Sequence, residues 1–336
     1  VRRLLGSLFA SAAALRVAAY ERGLLPRAHL AGPVVSVGNL GVGGSGKTPV
    51  VRRVAEILRD GGAPVAVLSR GYAGSFRGAA LVVSDGWSVA ATVEEAGDEP
   101  VMLARALPGV VVAVGRRRAA AGREVEARFG RRVHVLDDGF QHLRLARDLD
   151  LVCVDVADLD DRPLPAGRLR ERPGALARAS LVLLTRVEAA SEDELRGLET
   201  RLGRERTLRV RRRVVGFRTL VGAEGEAPAR AFLLAAIARP ERLAHDAAAQ
   251  GCAVVGRAFF RDHHRFTAAE LADVSTRAAE AGADAILTTA KDAVRLPPSP
   301  AGGRVPFVVL EVAAELDPKD EERLRERLLA LARRVA

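Results

Sequence analysis

The segment Gly41-Val42-Gly43-Gly44-Ser45-Gly46-Lys47-Thr48 constrains this chain more than any other. It fits G-x-x-x-x-G-K-[ST], the P-loop pattern that grips nucleotide phosphates. The pattern demands a buried strand before it and a helix after it. Pro33-Val34-Val35-Ser36-Val37 supplies the apolar, β-branched run, and Val50, Val54, Ile57 and Leu58 follow at helical spacing. Glycines let successive backbone N–H groups curl around an anion, and the helix N-terminus adds partial positive charge. Gly41, Gly43, Gly44, Ser45 and Gly46 are thus expected to form a cradle. Lys47 is expected to reach the β- and γ-phosphates, and Thr48 to offer its hydroxyl to Mg²⁺. Pro49 falls in the first helical turn, where its missing N–H costs little.

Around this motif, apolar strand patterns alternate with helical ones. Val34–Val37, Val65–Leu68, Val110–Val114, Val133–Leu136, Leu151–Val156 and Leu181–Leu184 read as strands, with helices at Pro49–Arg59 and Ala119–Phe129. That rhythm predicts an α/β fold, a P-loop NTPase-like parallel sheet with helices on both faces. At 207–220 the texture changes: Leu208, Val210 and Val214 are interleaved with Arg209, Arg211, Arg212 and Arg213. This stretch is expected to be an exposed basic ribbon between units. Strands at Phe232–Ala236, Ala253–Ala258, Ala285–Thr288 and Phe307–Val312 then follow. With helices at Arg239–Gln250, Ala268–Ala281 and Pro318–Arg334, they predict a second, smaller α/β domain. The expected division is a helix at 1–27, a P-loop unit at 28–206, the ribbon, and a C-terminal unit at 221–336.

The 336 residues suffice for two such units. Aromatics are only 4%, so the cores must be built from Val, Leu and Ala. Cys153 and Cys252 lie far apart in apolar runs and read as buried thiols, neither a metal site nor a disulfide framework. Lys and Arg number 52 against 42 Asp and Glu, and the resulting net charge of +10 suits an acidic partner. The excess is equally compatible with an Ala- and Arg-rich compositional habit. Residues 2–27 read as a helix with Leu4, Leu5, Leu8, Ala12, Leu15 and Ala19 on one face and arginines at its flanks. Its uncharged run, Leu4 to Leu15, is too short to span a bilayer, and no cleavage site follows a long apolar core. The expectation is a helix lying on an anionic membrane surface, with packing on the protein's own core as the alternative.

Four loop segments at strand ends carry candidate chemistry, since α/β sheets place ligands there. In Gly97-Asp98-Glu99-Pro100, pattern alone favours a helix cap over a catalytic base at Asp98. Asp137 and Asp138 end an apolar strand, which is how P-loop enzymes hold Mg²⁺; the alternative is an Asp-Gly turn. Leu164-Pro165-Ala166-Gly167-Arg168-Leu169-Arg170-Glu171 offers arginines for phosphate oxygens. Phe259–Thr267 contains His263 and His264, and Thr267 with Glu270 forms a capping box for the next helix. A catalytic histidine in that segment stays open.

Taken in order, these segments resemble the tetraacyldisaccharide 4'-kinase family, the lipid A 4'-kinases of Gram-negative bacteria. The likeness spans nearly the whole chain: the basic N-terminal helix, SVGNLGVGGSGKTP, LSRGYAG, GDEP, LDDGFQH, LPAGRLRE, DHH and TTAKDAV. It implies Mg²⁺-assisted transfer of the ATP γ-phosphoryl group to the 4'-hydroxyl of a tetraacyldisaccharide 1-phosphate. By motif, Lys47 and Thr48 hold phosphates and metal. Asp98 becomes the catalytic carboxylate, partnered by His263 from the second unit. Asp137, Asp138 and Glu171 serve the metal, with His142 and Arg168 as neighbours. The chain departs from the family at Ala290, where T-E-K-D is usual. The resemblance further implies peripheral or monotopic attachment at the cytoplasmic face of the inner membrane.

A P-loop GTPase or ATPase of metal delivery or protein targeting is the main rival, yet no N-K-x-D tetrad is present; Thr289-Ala290-Lys291-Asp292 lacks the asparagine. A nucleotide sensor on nucleic acid is disfavoured by the scarcity of stacking aromatics. No nucleic acid and no obligate protein partner are expected.

Overall fold

A computed structural model describes residues 2–43, 46–300 and 303–335. Gly44 and Ser45, two of the expected cradle residues, lie outside the described residues.

The chain opens with helix α1 (Arg2–Glu21) and strand β1 (Val34–Asn39), which enters the P-loop and α2 (Lys47–Asp60). There follow β2 (Val65–Ser69), β3 (Leu81–Ser84), α3 (Val93–Ala96), α4 (Asp98–Ala106), β4 (Val111–Val114), α5 (Arg118–Phe129), β5 (Val133–Asp137), β6 (Leu149–Asp155), β7 (Leu181–Thr185) and α6 (Glu192–Leu202). The remainder is β8 (Thr207–Thr219), β9 (Glu224–Gly225), β10 (Arg230–Ala235), α7 (Glu241–Ala249), β11 (Ala253–Phe259), α8 (Ala268–Glu280), β12 (Ala285–Thr289), α9 (Ala290–Ala293), β13 (Phe307–Leu316) and α10 (Pro318–Ala332). Every strand anticipated from the pattern is present, with its ends shifted by at most a few residues. Strand β3 and helix α6 have too little apolar periodicity to stand out in the sequence.

All strands join one sheet, ordered β11-β10-β12-β13-β8-β7-β6-β1-β5-β2-β4-β3, with β9 on β8. From the start of β8 to β4 the pairings are parallel. These strands are buried on both faces, which explains their unbroken Val and Leu runs. Their C-terminal ends, Asn39, Ser69, Val114, Asp137, Asp155 and Thr185, share one edge. On either side of β1 the chain order reverses, β5 on one flank and β6 on the other, so a crevice opens there.

Strand β8 joins the halves. Thr207–Val210 pair parallel with β7, while Val210–Thr219 run antiparallel to β13. The strand overshoots β7, so β10, β11, β12 and β13 lie beyond the P-loop half and point the opposite way. The C-terminal ends of the two strand sets therefore face each other across a cleft. The arginines expected to make β8 an exposed basic ribbon are instead largely neutralised. Arg209 meets Glu192 and Glu199, Arg212 meets Asp246, Arg213 meets Glu315 and Arg218 meets Glu311. Pairing with β13 sets Glu311 opposite Gly216 and Glu315 opposite Arg211, so their carboxylates reach Arg218 and Arg213 as diagonal cross-strand neighbours.

Both cysteines are free and buried; burial pushes the Cys153 thiol up to about 12, so it is inert. Helix α1 packs on the body through Gly6, Ala10 and Tyr20, while Leu5, Leu8, Phe9 and Leu15 stay exposed. Among the described residues no helix is long and apolar enough to cross a membrane.

Candidate active site

Helix α2 begins at Lys47, directly after Gly46, whose φ of 76° lies in the left-handed region that favours glycine. Thr48 and Pro49 occupy its first turn, where the unpaired N–H groups converge on the loop. The Lys47 ammonium donates to Asn39 Oδ1 at 2.9 Å and pairs with Asp138 Oδ1 at 2.9 Å. Arg170 contacts the other Asp138 oxygen at 2.8 Å. Burial alone would raise the Asp138 pKa, yet Lys47 and Arg170 outweigh it and hold the carboxyl far below its usual range.

Asp137, one residue earlier, behaves in the opposite sense. Burial, with Glu99 and Asp138 adding repulsion, holds it well above its usual value despite Lys47 and Arg118. Ser69 Oγ donates to it at 3.1 Å. A carboxyl so crowded by negative charge is one that a cation would relieve. The donors expected at this site, the Thr48 hydroxyl and the Asp137 and Asp138 carboxylates, are all hard oxygens and so fit Mg²⁺. Among the described residues no three His, Cys, Asp or Glu side chains gather as a metal cage. Mg²⁺ ordinarily needs none, because it takes one or two carboxylates together with phosphate oxygens and water.

Glu171 is placed differently from its expected role at the metal. Arg178 grips both of its oxygens, at 3.0 and 3.2 Å, and the Gln141 amide donates to it at 3.1 Å. A carboxylate so committed orients Gln141, whose own oxygen faces Arg170 at 3.3 Å. Arg168 also turns aside, toward Asp158 and Asp161. Its neighbour Arg170 reaches the site because residues 168–170 pair with residues 40–42 at the mouth of the P-loop.

Asp98 is buried at the start of α4, and its Oδ2 lies 2.9 Å from His263 Nδ1. The two residues are 165 positions apart and come from opposite halves. Lys291 and Arg295 stand 4.0 and 3.8 Å from the same oxygen, and the Glu99 N–H donates to Oδ1 at 2.9 Å. Burial opposes ionisation of Asp98, but His263, Lys291 and Arg295 prevail and hold its pKa below normal. The charge of Glu99 acts on Asp137, so the start of α4 adjoins the end of β5. His263 Nε2 faces Lys291 at 3.4 Å, and its ring tilts against Tyr72 with centroids 5.3 Å apart. Asp292 is buried beneath, accepting from Ala236 N–H and Thr289 and pairing with Arg295. Lys291 and Asp292 of the motif at 289–292 thus both support the pair, whereas Ala290 offers no such group.

Ala73, Asp138, Arg186 and His263 are the non-glycine residues with left-handed backbone among those described. Each such residue costs on the order of 1–3 kcal/mol, and they cluster where side-chain direction matters more than backbone comfort.

Beside the P-loop, a cleft of about 410 Å³ runs from Asp138, Gln141 and Arg170 to Arg16, Tyr20 and Leu25 near α1. A second, of about 520 Å³, joins Tyr72 and His263, and Arg70 and Arg116 border both. His142 lines the first; burial and the surrounding arginines push its pKa down to about 4, leaving it neutral. With Arg16, Arg70, Arg116, Arg118, Arg144 and Arg170 along it, the first cleft is strongly basic, and it reaches α1 at Arg16 and Tyr20.

Comparison with known proteins decides among the readings. The family model for tetraacyldisaccharide-1-P 4'-kinase matches residues 2–333. The chain belongs to that family. It is 46% identical over 322 residues to a tetraacyldisaccharide 4'-kinase of Anaeromyxobacter dehalogenans, covering 92% of this chain and 84% of the relative. A Geobacter metallireducens protein of the same name is 40% identical, over 96% and 95% of the two chains. Among solved structures, LpxK from Aquifex aeolicus in complex with ATP superposes with a TM-score of 0.78 at 29% identity, covering 97% of each chain. The chain is an ATP-dependent lipid kinase of the lipid A pathway, and the α/β architecture read from the sequence is the family's own.

Proposed function

We propose that the 4'-hydroxyl of tetraacyldisaccharide 1-phosphate is phosphorylated in line at the junction of the two halves, between Lys47 and the Asp98–His263 pair. The supporting observation is the 2.9 Å approach of His263 to a buried, ionised Asp98 next to the carboxylates that end β5. On nucleotide binding, Lys47 transfers from Asn39 and Asp138 to the β- and γ-phosphates. The P-loop N–H groups hold the remaining oxygens. Thr48, Asp137 and Asp138 would hold Mg²⁺, which neutralises charge spreading over the phosphoryl oxygens in a loose transition state. Glu171 keeps Gln141 and Arg178 in place behind them.

As the bond from the sugar oxygen to the γ-phosphorus forms and the bond to the β-phosphate oxygen breaks, the hydroxyl proton passes to Asp98. A carboxylate suffices as base because proton loss comes late in such a transition state. His263 orients Asp98 and shares the proton, and ADP leaves. Because the pair joins the units at 28–206 and 221–336, opening of one from the other would separate His263 from Asp98 and dismantle the base.

The lipid stays in the bilayer. We place the enzyme peripherally on the cytoplasmic face of the inner membrane, with the exposed leucines of α1 in the interface and its arginines on anionic headgroups. The direct test mixes protein, Mg²⁺, γ-labelled ATP and tetraacyldisaccharide 1-phosphate in detergent micelles. A doubly phosphorylated lipid is expected, and Lys47→Ala should abolish it. Label incorporation unaffected by Lys47→Ala would contradict the reading.

A further inference from the structure

We infer that Arg295 is a positioning residue for the phosphoryl transfer: its guanidinium fork grips the backbone on both sides of His263 and so aims the imidazole at Asp98. The inference rests on the reading of Asp98 and His263 as the base and deepens it. Arg295 lies in the turn after α9, with its side chain only 5% exposed. A cation so deep is costly unless it is paired and its donors are used. One Nη pairs with Asp292 and donates to the Ala236 carbonyl at 3.0 Å; the other donates to the His264 carbonyl at 2.8 Å. The Cζ also lies 5.6 Å from the centre of the Phe266 ring.

These bonds close a ring around His263. The Ala236 carbonyl that Arg295 holds also accepts the His263 N–H at 3.2 Å. The Ala236 N–H meets both oxygens of Asp292 at 3.2 Å, and Asp292 in turn anchors the guanidinium. His263 is thus fixed from its own N–H to the carbonyl of the next residue. That restraint answers a strain. His263 has a left-handed backbone, φ 62°, a conformation that persists only where the surroundings impose it. Relaxation there would swing the imidazole off its 2.9 Å contact with Asp98. Charge is the lesser part of the role. Lys291 stands 4.0 Å from the Asp98 oxygen that faces Arg295 Nε at 3.8 Å, so a cation stays beside Asp98 if Arg295 is lost. Arg295 Nε makes no hydrogen bond, so its hold on Asp98 is through space alone. What Lys291 cannot supply is a planar fork that reaches two carbonyls at once.

Arg295→Lys keeps the charge and removes the fork. Turnover in micelles, with saturating tetraacyldisaccharide 1-phosphate and varied ATP, is measured for this change in the unmodified chain and in His263→Ala. In the unmodified chain kcat should fall about 10–100-fold, the scale of a misaimed catalytic group, while the KM for ATP moves less than about twofold. In the His263→Ala background the same change should cost less than about threefold, since nothing remains to be aimed. A kcat unaffected by Arg295→Lys would reduce the side chain to its charge and overturn the inference. Equal losses in both backgrounds would assign it to the fold and do the same. Asp292→Asn keeps the shape of the anchor and removes its charge. It should repeat the background dependence, and it decides the matter on the same terms if Arg295→Lys fails to fold. Full turnover in His263→Ala itself would sink the base on which the inference stands. A large loss there beside an unaffected Arg295→Lys would sink the inference alone.

Discussion

Two adjacent carboxyls, Asp137 and Asp138, share one strand end and yet titrate in opposite directions. Lys47 and Arg170 hold Asp138 ionised, whereas burial, Glu99 and Asp138 hold Asp137 up. The consequence for stability has a definite sign. An acid with a raised folded pKa binds more protons in the folded than in the unfolded state. Stability is therefore lost as pH rises from the ordinary carboxylate value, 3.8, through the raised one. Asp137→Asn removes that loss. The nucleotide-free variant should melt above the unmodified protein at pH 8, and the gap should narrow toward pH 5, while turnover collapses. A melting curve unchanged at pH 8 would show that Asp137 is not under charge strain. Such opposition is invisible in the sequence, because it depends on Glu99, Lys47 and Arg170, which only the fold brings to the end of β5. Arg170 was hidden for a related reason: only the pairing of residues 168–170 with residues 40–42 tells it apart from Arg168.

At the scale of elements, the site depends on how closely β1 meets the turn after β5. A Cβ on Gly38 would stand 2.5 Å from the Phe140 Cβ and backbone nitrogen, so nothing larger than glycine fits. Gly38→Ala should lower stability by about 1–3 kcal/mol, the usual range for overpacking, and depress activity further by shifting Asp137 and Asp138. Denaturant titration beside an ATP-binding measurement checks both. Helix α1 is the other decisive element. Its apolar periodicity was legible, but its double allegiance was not: Gly6, Ala10 and Tyr20 face the body while Leu8 and Leu15 face outward. The joint substitution Leu8→Glu and Leu15→Glu should leave melting and ATP binding intact. Binding to anionic vesicles should fall at least tenfold, each inserted leucine being worth about 1.5 kcal/mol or more. Undiminished vesicle binding would remove α1 from the docking surface.

For the molecule as a whole, the sheet's two strand sets bring together residues that no local pattern could join. The P-loop and the β5 carboxylates were readable because strand, loop and helix are contiguous in the chain. Asp98 and His263 were paired only through family resemblance; by pattern, Asp98 was a helix cap, whereas Gly97 holds the cap position and Asp98 is the first residue of α4. The Asp98–His263 contact is the claim on which the chemistry turns, and a double-mutant cycle interrogates it most directly. Turnover of ATP and tetraacyldisaccharide 1-phosphate is to be measured under saturating conditions for Asp98→Ala, His263→Ala and the double variant. Each single change should cost about 10²–10⁴-fold in kcat, and the double variant little more than the worse single one. Losses that multiply in full would mean that the two side chains act apart, and the coupled base would have to be abandoned.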